Sequence, residues 1–237
     1  NLQPKEQDKF LEIGPGMGAI TKPILDKISF LNVVEIDSDM INYLKKNISQ
    51  EKINVIDRDI LSIPTSELKQ YDRIIGNLPY YISTEILSRW IVNLDKNVWF
   101  NELILMFQKE VADRIISDSD KSSYGRLSIL SNWKLSIKKI IDIKPESFSP
   151  RPKIDSSLLV FIPKKKIFNL QSPKNLEMIT RVFFNQRRKK IKNPFNQIFK
   201  NPEAISKKLG IDLNLRPQNL EPETYYKITK EYENLGG

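Results

Sequence analysis

The stretch Phe10-Leu11-Glu12-Ile13-Gly14-Pro15-Gly16-Met17-Gly18 constrains the fold of this chain more than any other. It reads as a buried strand running into a glycine-rich turn, with a helix expected over about 19–27. Glycines at 14, 16 and 18 let the backbone bend sharply and let a ligand approach where a Cβ would otherwise stand. Short apolar runs near 9–13, 31–36, 53–57, 73–76 and 103–107 alternate with helical patterns near 19–27, 39–48, 83–94 and 109–117. Such alternation predicts an α/β fold, a parallel sheet with helices on both faces. Two more β-like runs, 134–143 and 157–162, follow without a clear long helix between them. Pro163 and Lys164-Lys165-Lys166 mark a boundary, so 1–163 is expected to form one domain and 164–237 a second. From about residue 170 the pattern is helical, broken by prolines at 194, 202, 217 and 222, which predicts a small helical domain.

In sheets of this kind ligands bind outside the carboxyl ends of the strands. The strand-end residues, in chain order, are Gly14, Glu35, Asp59 and Asn77. Glu35 lies 21 residues after Gly14 and ends the run that starts at Leu31, where an acid accepts hydrogen bonds from both ribose hydroxyls of a nucleoside. Asp59 follows the third run, where a carboxylate can accept from an adenine amino group; Asp57 competes for that role. Asn77-Leu78-Pro79-Tyr80 follows Arg73-Ile74-Ile75 and a glycine. The Asn77 side-chain oxygen and a neighbouring backbone carbonyl can both accept from an exocyclic NH₂ group. Pro79 fixes φ and holds those oxygens in place, and Tyr80 offers a ring on which a flat base stacks. Taken singly, Asp59 is equally a turn or cap acid and Asn77 an ordinary turn residue. Four such residues at successive strand ends converge on one crevice.

Composition narrows the chemistry. The chain has 237 residues, 40% of them apolar, enough to bury a substantial core. It contains no cysteine, which excludes disulfides and thiolate metal sites and fits a reducing compartment. It contains no histidine, which excludes a Ser-His-Asp triad, histidine metal sites and a histidine general base within the chain. No apolar run approaches the roughly 18 residues that span a membrane, and no signal-peptide pattern opens the chain. A cytoplasmic protein is the expectation. The charge is uneven: residues 1–163 carry 22 basic and 22 acidic side chains, whereas 164–237 carry 16 basic and 7 acidic. The cluster Arg187-Arg188-Lys189-Lys190 lies in a helical pattern with Ile179, Val182, Phe183 and Ile191. A solvated helix face is the plain explanation of such a cluster. Beside a base-gripping turn, an RNA partner held through its phosphates explains it better.

The ordered motifs resemble those of the ribosomal RNA adenine N6-dimethyltransferases, which use S-adenosylmethionine. The resemblance rests on Glu12-Ile13-Gly14-Pro15-Gly16-Met17-Gly18, Glu35-Ile36-Asp37, Asp57-Arg58-Asp59-Ile60 and Asn77-Leu78-Pro79-Tyr80. It continues through Gln108–Ile115, Tyr124-Gly125-Arg126-Leu127-Ser128, the tract from Phe148 to Ser156, and Phe184-Asn185-Gln186-Arg187-Arg188-Lys189. It covers residues 10 to about 195 and points to the KsgA-type branch, which acts on small-subunit RNA, rather than to the macrolide-resistance (Erm) branch.

The resemblance implies a Rossmann-like methyltransferase sheet of seven strands, the last antiparallel, followed by a small helical domain. It implies transfer of methyl groups to the N6 amines of two adjacent adenosines in a hairpin loop near the 3′ end of 16S rRNA, giving N6,N6-dimethyladenosine, and a role in subunit biogenesis. Gly14 and Gly16 are then expected against the methionine part of the cofactor, Glu35 and Ile36 at the ribose, and Asp59 and Ile60 at the adenine, with Asn77 also among the cofactor-binding residues. Glu12 orients the glycine turn or approaches the cofactor amine through water. Asn77, Leu78, Pro79 and Tyr80 hold the target base and Phe148 covers its other face, unless Phe148 is only a buried loop anchor. Arg187, Arg188, Lys189 and Lys190 contact RNA. The partners implied are small-subunit rRNA and the assembling subunit, with no metal, no membrane and a monomeric enzyme.

Two features depart from the family pattern. A basic tract with Gln-x-Phe-Leu ahead of the first strand helps close the cofactor pocket in relatives, but this sequence begins at Asn1; without that tract weaker cofactor binding is expected. Tyr81 stands where a second Asn is common, and is expected to alter the pocket wall without touching the acceptors. Two other classes compete. A DNA amino-methyltransferase uses a related turn, but lacks the basic C-terminal helices and the Phe148-x-Pro-x-Pro-Lys tract. A non-catalytic ribosome-assembly factor would not need Gly14, Glu35, Asp59 and Asn77 intact.

Overall fold

A computed structural model describes residues 7–94, 98–149 and 151–236. Seven strands form one sheet: β1 (Phe10–Ile13), β2 (Leu31–Glu35), β3 (Ile53–Asp57), β4 (Arg73–Gly76), β5 (Glu102–Gln108), β6 (Leu135–Ile143) and β7 (Ser156–Pro163). Their order is β3-β2-β1-β4-β5-β7-β6. The first five run parallel, with Leu11 opposite Asn32 and Ile74, and β7 runs antiparallel to β5 from Gln108↔Ser156 to Leu103↔Phe161. The central strands are mostly apolar because helices cover both faces: all four residues of β1 are buried, Glu12 included. Edge strand β6 is exposed over 138–142 and carries Lys138 and Lys139, charges that discourage pairing with another edge.

The helices of this unit are α1 (Thr21–Leu25), α2 (Ser38–Asn47), α3 (Thr65–Leu68) and most of α4 (Tyr80–Val92). One core joins α1 and α2 to the sheet through Phe10, Ile24, Leu31, Val33, Leu44, Ile53, Ile75 and Ile104. Asp37 sets the start of α2, its Oδ1 accepting from the backbone of Asp39 at 2.9 Å and Met40 at 3.2 Å. Chain order runs outward from β1 to β3, then returns to β4 on the other side of β1. The switch point between β1 and β4 therefore brings the turn after Ile13 beside the turn after Gly76, at the carboxyl edge.

The second compact unit comprises 91–93, 110–137 and 164–237, so it is not contiguous in sequence. Residues 110–137, placed with the sheet by the linear reading, belong to this unit. The reason lies in helix α6 (Arg126–Lys134), a segment to which the sequence assigned no helix. Its Ser128, Ile129, Leu130, Ser131 and Trp133 are all buried, so it shows no one-sided apolar pattern to read. The remaining helices are α5 (Lys109–Ile115), α7 (Pro173–Phe184), α8 (Lys192–Ile198), α9 (Pro202–Leu209) and α10 (Pro222–Asn234). Pro173, Pro202 and Pro222 each begin a helix, where the missing N–H costs nothing.

Aromatic rings hold the second unit together. Phe183 meets Tyr225 at 5.4 Å and Phe195 at 5.7 Å, and Tyr124 meets Phe184 at 6.2 Å between centroids. Each buried tyrosine donates its hydroxyl to a backbone carbonyl: Tyr124 to Leu220, Tyr225 to Pro217 and Tyr226 to Ile129. Burial pushes the phenols of Tyr124, Tyr225 and Tyr226 well above their usual value, and nearby Glu221 and Glu223 add to the rise at Tyr124 and Tyr226 respectively. Glu233, also buried, accepts from the backbone of Gln171 at 2.8 Å and Ser172 at 2.9 Å, fixing the chain that enters α7.

Candidate active site

Gly14, Gly16 and Gly18 all have positive φ, +67°, +52° and +80°. Only Gly14 is also pressed by its surroundings, since a Cβ there would lie 2.9 Å from the backbone oxygen of Asn77. Gly14 N–H donates to Val34 O at 3.0 Å and Asn77 N–H to Ile13 O at 3.2 Å, so both turns continue the strand ladders that precede them. Beneath them Glu12 is buried and accepts from Thr21 Oγ1 at 2.7 Å, tying β1 to the first residue of α1. Burial raises the Glu12 carboxyl to about 7; the Thr21 bond opposes the rise and nearby Glu35 adds to it.

The Glu35 carboxylate organises the next strand end. Its Oε1 accepts from Ile36 N at 2.9 Å and Asp37 N at 3.1 Å, while Oε2 accepts from Gly16 N at 3.2 Å. Asp59 caps a short 3₁₀ turn over Ile60–Ser62 through Leu61 N, at 2.9 Å from Oδ1, so the plain cap reading of this acid is realised. Among the described residues, Oδ2 has no protein donor. The Arg89 guanidinium on α4 donates to Leu61 O and so pins this turn from the other side.

A cavity of about 120 Å³ gathers Gly14, Glu35, Ile36, Asp59, Ile60 and Pro79, all singled out in the sequence. Asp59 lines this cavity, whereas Asp57 is exposed and does not. Arg58, Leu61 and Ile82, to which the sequence assigned no site role, also line the cavity. Arg58 stands inside the motif Asp57–Ile60, and Leu61 and Ile82 are apolar neighbours of motif residues. Tyr81 forms part of the wall while remaining 84% exposed, with Met17 and Ile36 also exposed at 51% and 64%. Gly16, Asn77, Leu78 and Tyr80 are not wall residues of this cavity; they reach it through the Gly14–Asn77 contact and the Glu35–Gly16 bond.

Asn77 is exposed, whereas Leu78 is buried at 1% and anchors the turn in the core. Pro79 O accepts from Ile82 N at 3.1 Å and Ser83 N at 3.2 Å, which starts α4 at Tyr80, earlier than the expected 83. Phe148 is half-buried, and its N–H donates to Pro145 O at 3.2 Å. It lies on the connection between β6 and β7. That connection leaves from the carboxyl edge because Ser156 pairs with Gln108, the last residue of β5. Phe148 is not a cavity wall residue, and Pro150 of the same tract lies outside the described residues.

The basic cluster differs from its expected helical setting: α7 ends at Phe184, and Arg187, Arg188, Lys189 and Lys190 occupy the turn that follows. Arg187 is committed internally, donating to Ser122 O at 2.6 Å and to Gln218 Oε1 at 3.3 Å. Lys190 donates to Asn214 Oδ1 at 2.8 Å. Arg188 and Lys189 are exposed and hold no partner among the described residues. A larger cavity of about 740 Å³, lined by Trp133, Lys164, Phe168 and Tyr226, lies within the second unit and includes none of the residues named from the motifs. Among the described residues no helix is long and apolar enough to cross a membrane, and no cluster of acids has the makings of a metal site.

The comparisons with known proteins agree with this arrangement. The family model described as Ribosomal RNA adenine dimethylase matches residues 1–234. A Pelagibacter ubique protein called Ribosomal RNA small subunit methyltransferase A is 61% identical over 229 residues, 96% of this chain and 87% of the relative. One of the same name from Dechloromonas aromatica is 34% identical, covering 96% of this chain and 88% of the relative. Among solved structures, a dimethyladenosine transferase from Plasmodium falciparum aligns with a TM-score of 0.83 and 25% identity, over 98% of this chain and 92% of that one. The 23S rRNA methyltransferase ErmE shares the fold, with a TM-score of 0.70 and 19% identity over 98% of this chain and 93% of its own. With seven strands, the β4-end Asn-Leu-Pro-Tyr turn and a match over nearly its whole length, the chain belongs to the ribosomal RNA adenine dimethylase family.

Proposed function

We propose that this chain transfers methyl groups from S-adenosylmethionine to the N6 amines of two adjacent adenosines in a 3′-terminal hairpin loop of small-subunit rRNA, giving N6,N6-dimethyladenosine during subunit assembly. The single observation that carries the reading is the meeting of the Gly14 turn and the Asn77 turn, with Gly14 too close to Asn77 O to accept a side chain. The residues present suit such a cofactor: positive-φ glycines leave room beside the chain, and Glu35 and Asp59 line one cavity with the apolar Ile36 and Ile60.

When bound, S-adenosylmethionine supplies a methyl group on a positively charged sulfonium, whose departure as a neutral thioether drives the transfer. Glu35 would hold the ribose. A carboxylate offers about four acceptor positions, and three are taken by backbone N–H groups here. The Gly16 bond, the longest at 3.2 Å, is the one to yield to a second ribose hydroxyl. Asp59 keeps its cap through Oδ1 and would accept the cofactor's adenine amine at Oδ2.

The target amine is a poor nucleophile because its lone pair is delocalised into the ring. Asn77 Oδ1 and Leu78 O, accepting its two N–H bonds, would favour a pyramidal nitrogen aimed at the methyl group, by positioning and electrostatic stabilisation. Alkylation makes that nitrogen acidic, and its proton leaves to water. Tyr80 and Phe148 would stack on the two faces of a base that has left its helix. Arg188 and Lys189 would meet the RNA backbone, with Lys190 beside them, while Arg187 supports their turn.

The test is transfer of labelled methyl groups to small ribosomal subunits from cells lacking this modification, with large subunits and duplex DNA alongside. Label recovered as N6,N6-dimethyladenosine in small-subunit RNA is the expected result. Label confined to large subunits, or to DNA, would overturn the substrate assignment. Cofactor binding with no label in any RNA would leave an assembly factor without the chemistry.

A further inference from the structure

Tyr80 is held at both ends. Its backbone oxygen accepts from Ser83 Oγ at 3.0 Å, and its phenol hydroxyl lies 2.5 Å from Ser156 Oγ. Both serines are buried, at 1% and 0% exposure. Ser156 opens β7 opposite Gln108, and its neighbours fix it to the sheet: Lys109 N donates to Asp155 O at 2.9 Å, and Ser157 Oγ to Asp142 Oδ1 at 2.6 Å. Asp142 also receives Lys109 Nζ at 2.7 Å, and these donors hold its carboxyl well below the usual range. Ser156 Oγ is thus a stationary point.

Stacking needs only the flat face of a tyrosine ring. A phenol hydroxyl with its own buried partner serves a different end. The bond removes the ring's freedom to swing about its two side-chain torsions, and so sets the plane it presents beside Asn77. Reaction rates are sensitive to such placement: a shift of about 1 Å costs on the order of a hundredfold.

We propose that Ser156 is a positioning residue for methyl transfer, acting through the Tyr80 hydroxyl to hold the ring against which the target adenine is seated. The proposal rests on the reading of Asn77–Tyr80 as the base grip. It assigns to the Tyr80 hydroxyl a purely orienting part, distinct from the ring's stacking.

Ser156→Ala, Tyr80→Phe and the double variant test it with small subunits as substrate. Each single variant is expected to lower kcat about five- to tenfold, the worth of one part-buried hydrogen bond, with the KM for cofactor unchanged. Because both changes delete the same bond, the double variant should be no slower than either single one. Wild-type rates in the single variants, additive losses in the double, or a rise in cofactor KM without a fall in kcat would each overturn the proposal. If the wild-type protein itself transfers no methyl group, the functional reading fails instead. The tether is then judged by nuclear magnetic resonance of the labelled Tyr80 ring, which should reorient faster in Ser156→Ala; an unchanged ring overturns it.

Discussion

The two compact units use their polar groups differently, although the second also leaves the buried Ser131 Oγ and Gln186 Oε1 without a hydrogen-bond partner among the described residues. In the second, the buried tyrosines Tyr124, Tyr225 and Tyr226 each donate to a backbone carbonyl, and Glu233 is enclosed by backbone donors. In the sheet unit the carboxyl edge is left open: Asn77 is exposed, Asp59 keeps one oxygen without a protein donor among the described residues, and Met17, Ile36 and Tyr81 present apolar surface. Satisfied buried polar groups belong to stability. Unsatisfied acceptors beside exposed apolar side chains belong to a ligand. The proposed chemistry would then belong to the sheet unit, while the second unit exposes Arg188, Lys189 and Lys190 at the turn after α7.

The sharpest way to break that division is Asn77→Ala. Methyl transfer should fall by about two to three orders of magnitude, while cofactor affinity by calorimetry and the melting temperature stay near wild type because the side chain is exposed. A parallel loss of cofactor binding would mean that the open edge is structural after all. Next in size is the contrast between two glycines. Gly14→Ala combines positive φ with a 2.9 Å approach to Asn77 O, and should cost about 2–3 kcal/mol in denaturant unfolding. Gly16→Ala meets no atom within 4 Å and carries only the conformational strain, about 1 kcal/mol.

Glu12 gives a pH test within the sheet unit. Its carboxyl rises from 4.5 to about 7 on folding, so between those values the native state holds a proton that the unfolded chain has released. Stability should therefore decline as pH rises through that window, by on the order of 2 kcal/mol, and level off above it. Glu12→Gln should flatten the profile of melting temperature against pH; an unchanged slope would place the titration elsewhere. The smallest effect is expected at the basic turn. Arg188→Ala with Lys189→Ala should make the salt dependence of RNA binding shallower by about one to two in the logarithmic slope. Arg187→Ala should instead lower the melting temperature, since its guanidinium holds Ser122 O.

Much of the crevice was legible because its parts are local. A glycine turn after a buried strand, an acid at the end of the next strand and an Asn-Pro-aromatic turn each announce themselves within a few residues. Parallel α/β topology then puts strand ends on one edge, so Gly14, Glu35, Asp59 and Pro79 were bound to meet. Helix α6 was not legible, because a helix buried on most sides has no polar face to set its period. The setting of Arg187–Lys190 was misread for a related reason: Val182, Phe183 and Ile191 keep an apolar rhythm across the end of α7, although the helix stops at Phe184.

By itself the sequence determined the α/β class, the strand-end residues that meet in one crevice, the excess positive charge after residue 163 and the family whose motifs it carries in order. Local propensity and hydrophobic period suffice for these, since each depends on residues close together in the chain. Only the tertiary structure decided that 110–137 joins the second unit, that Asp59 rather than Asp57 faces the cavity, and that Arg187 is a support rather than a free cation. It alone brought Ser156 to the hydroxyl of Tyr80, 76 residues away. Long-range pairings of this kind follow from strand order and packing, which no short window of sequence encodes.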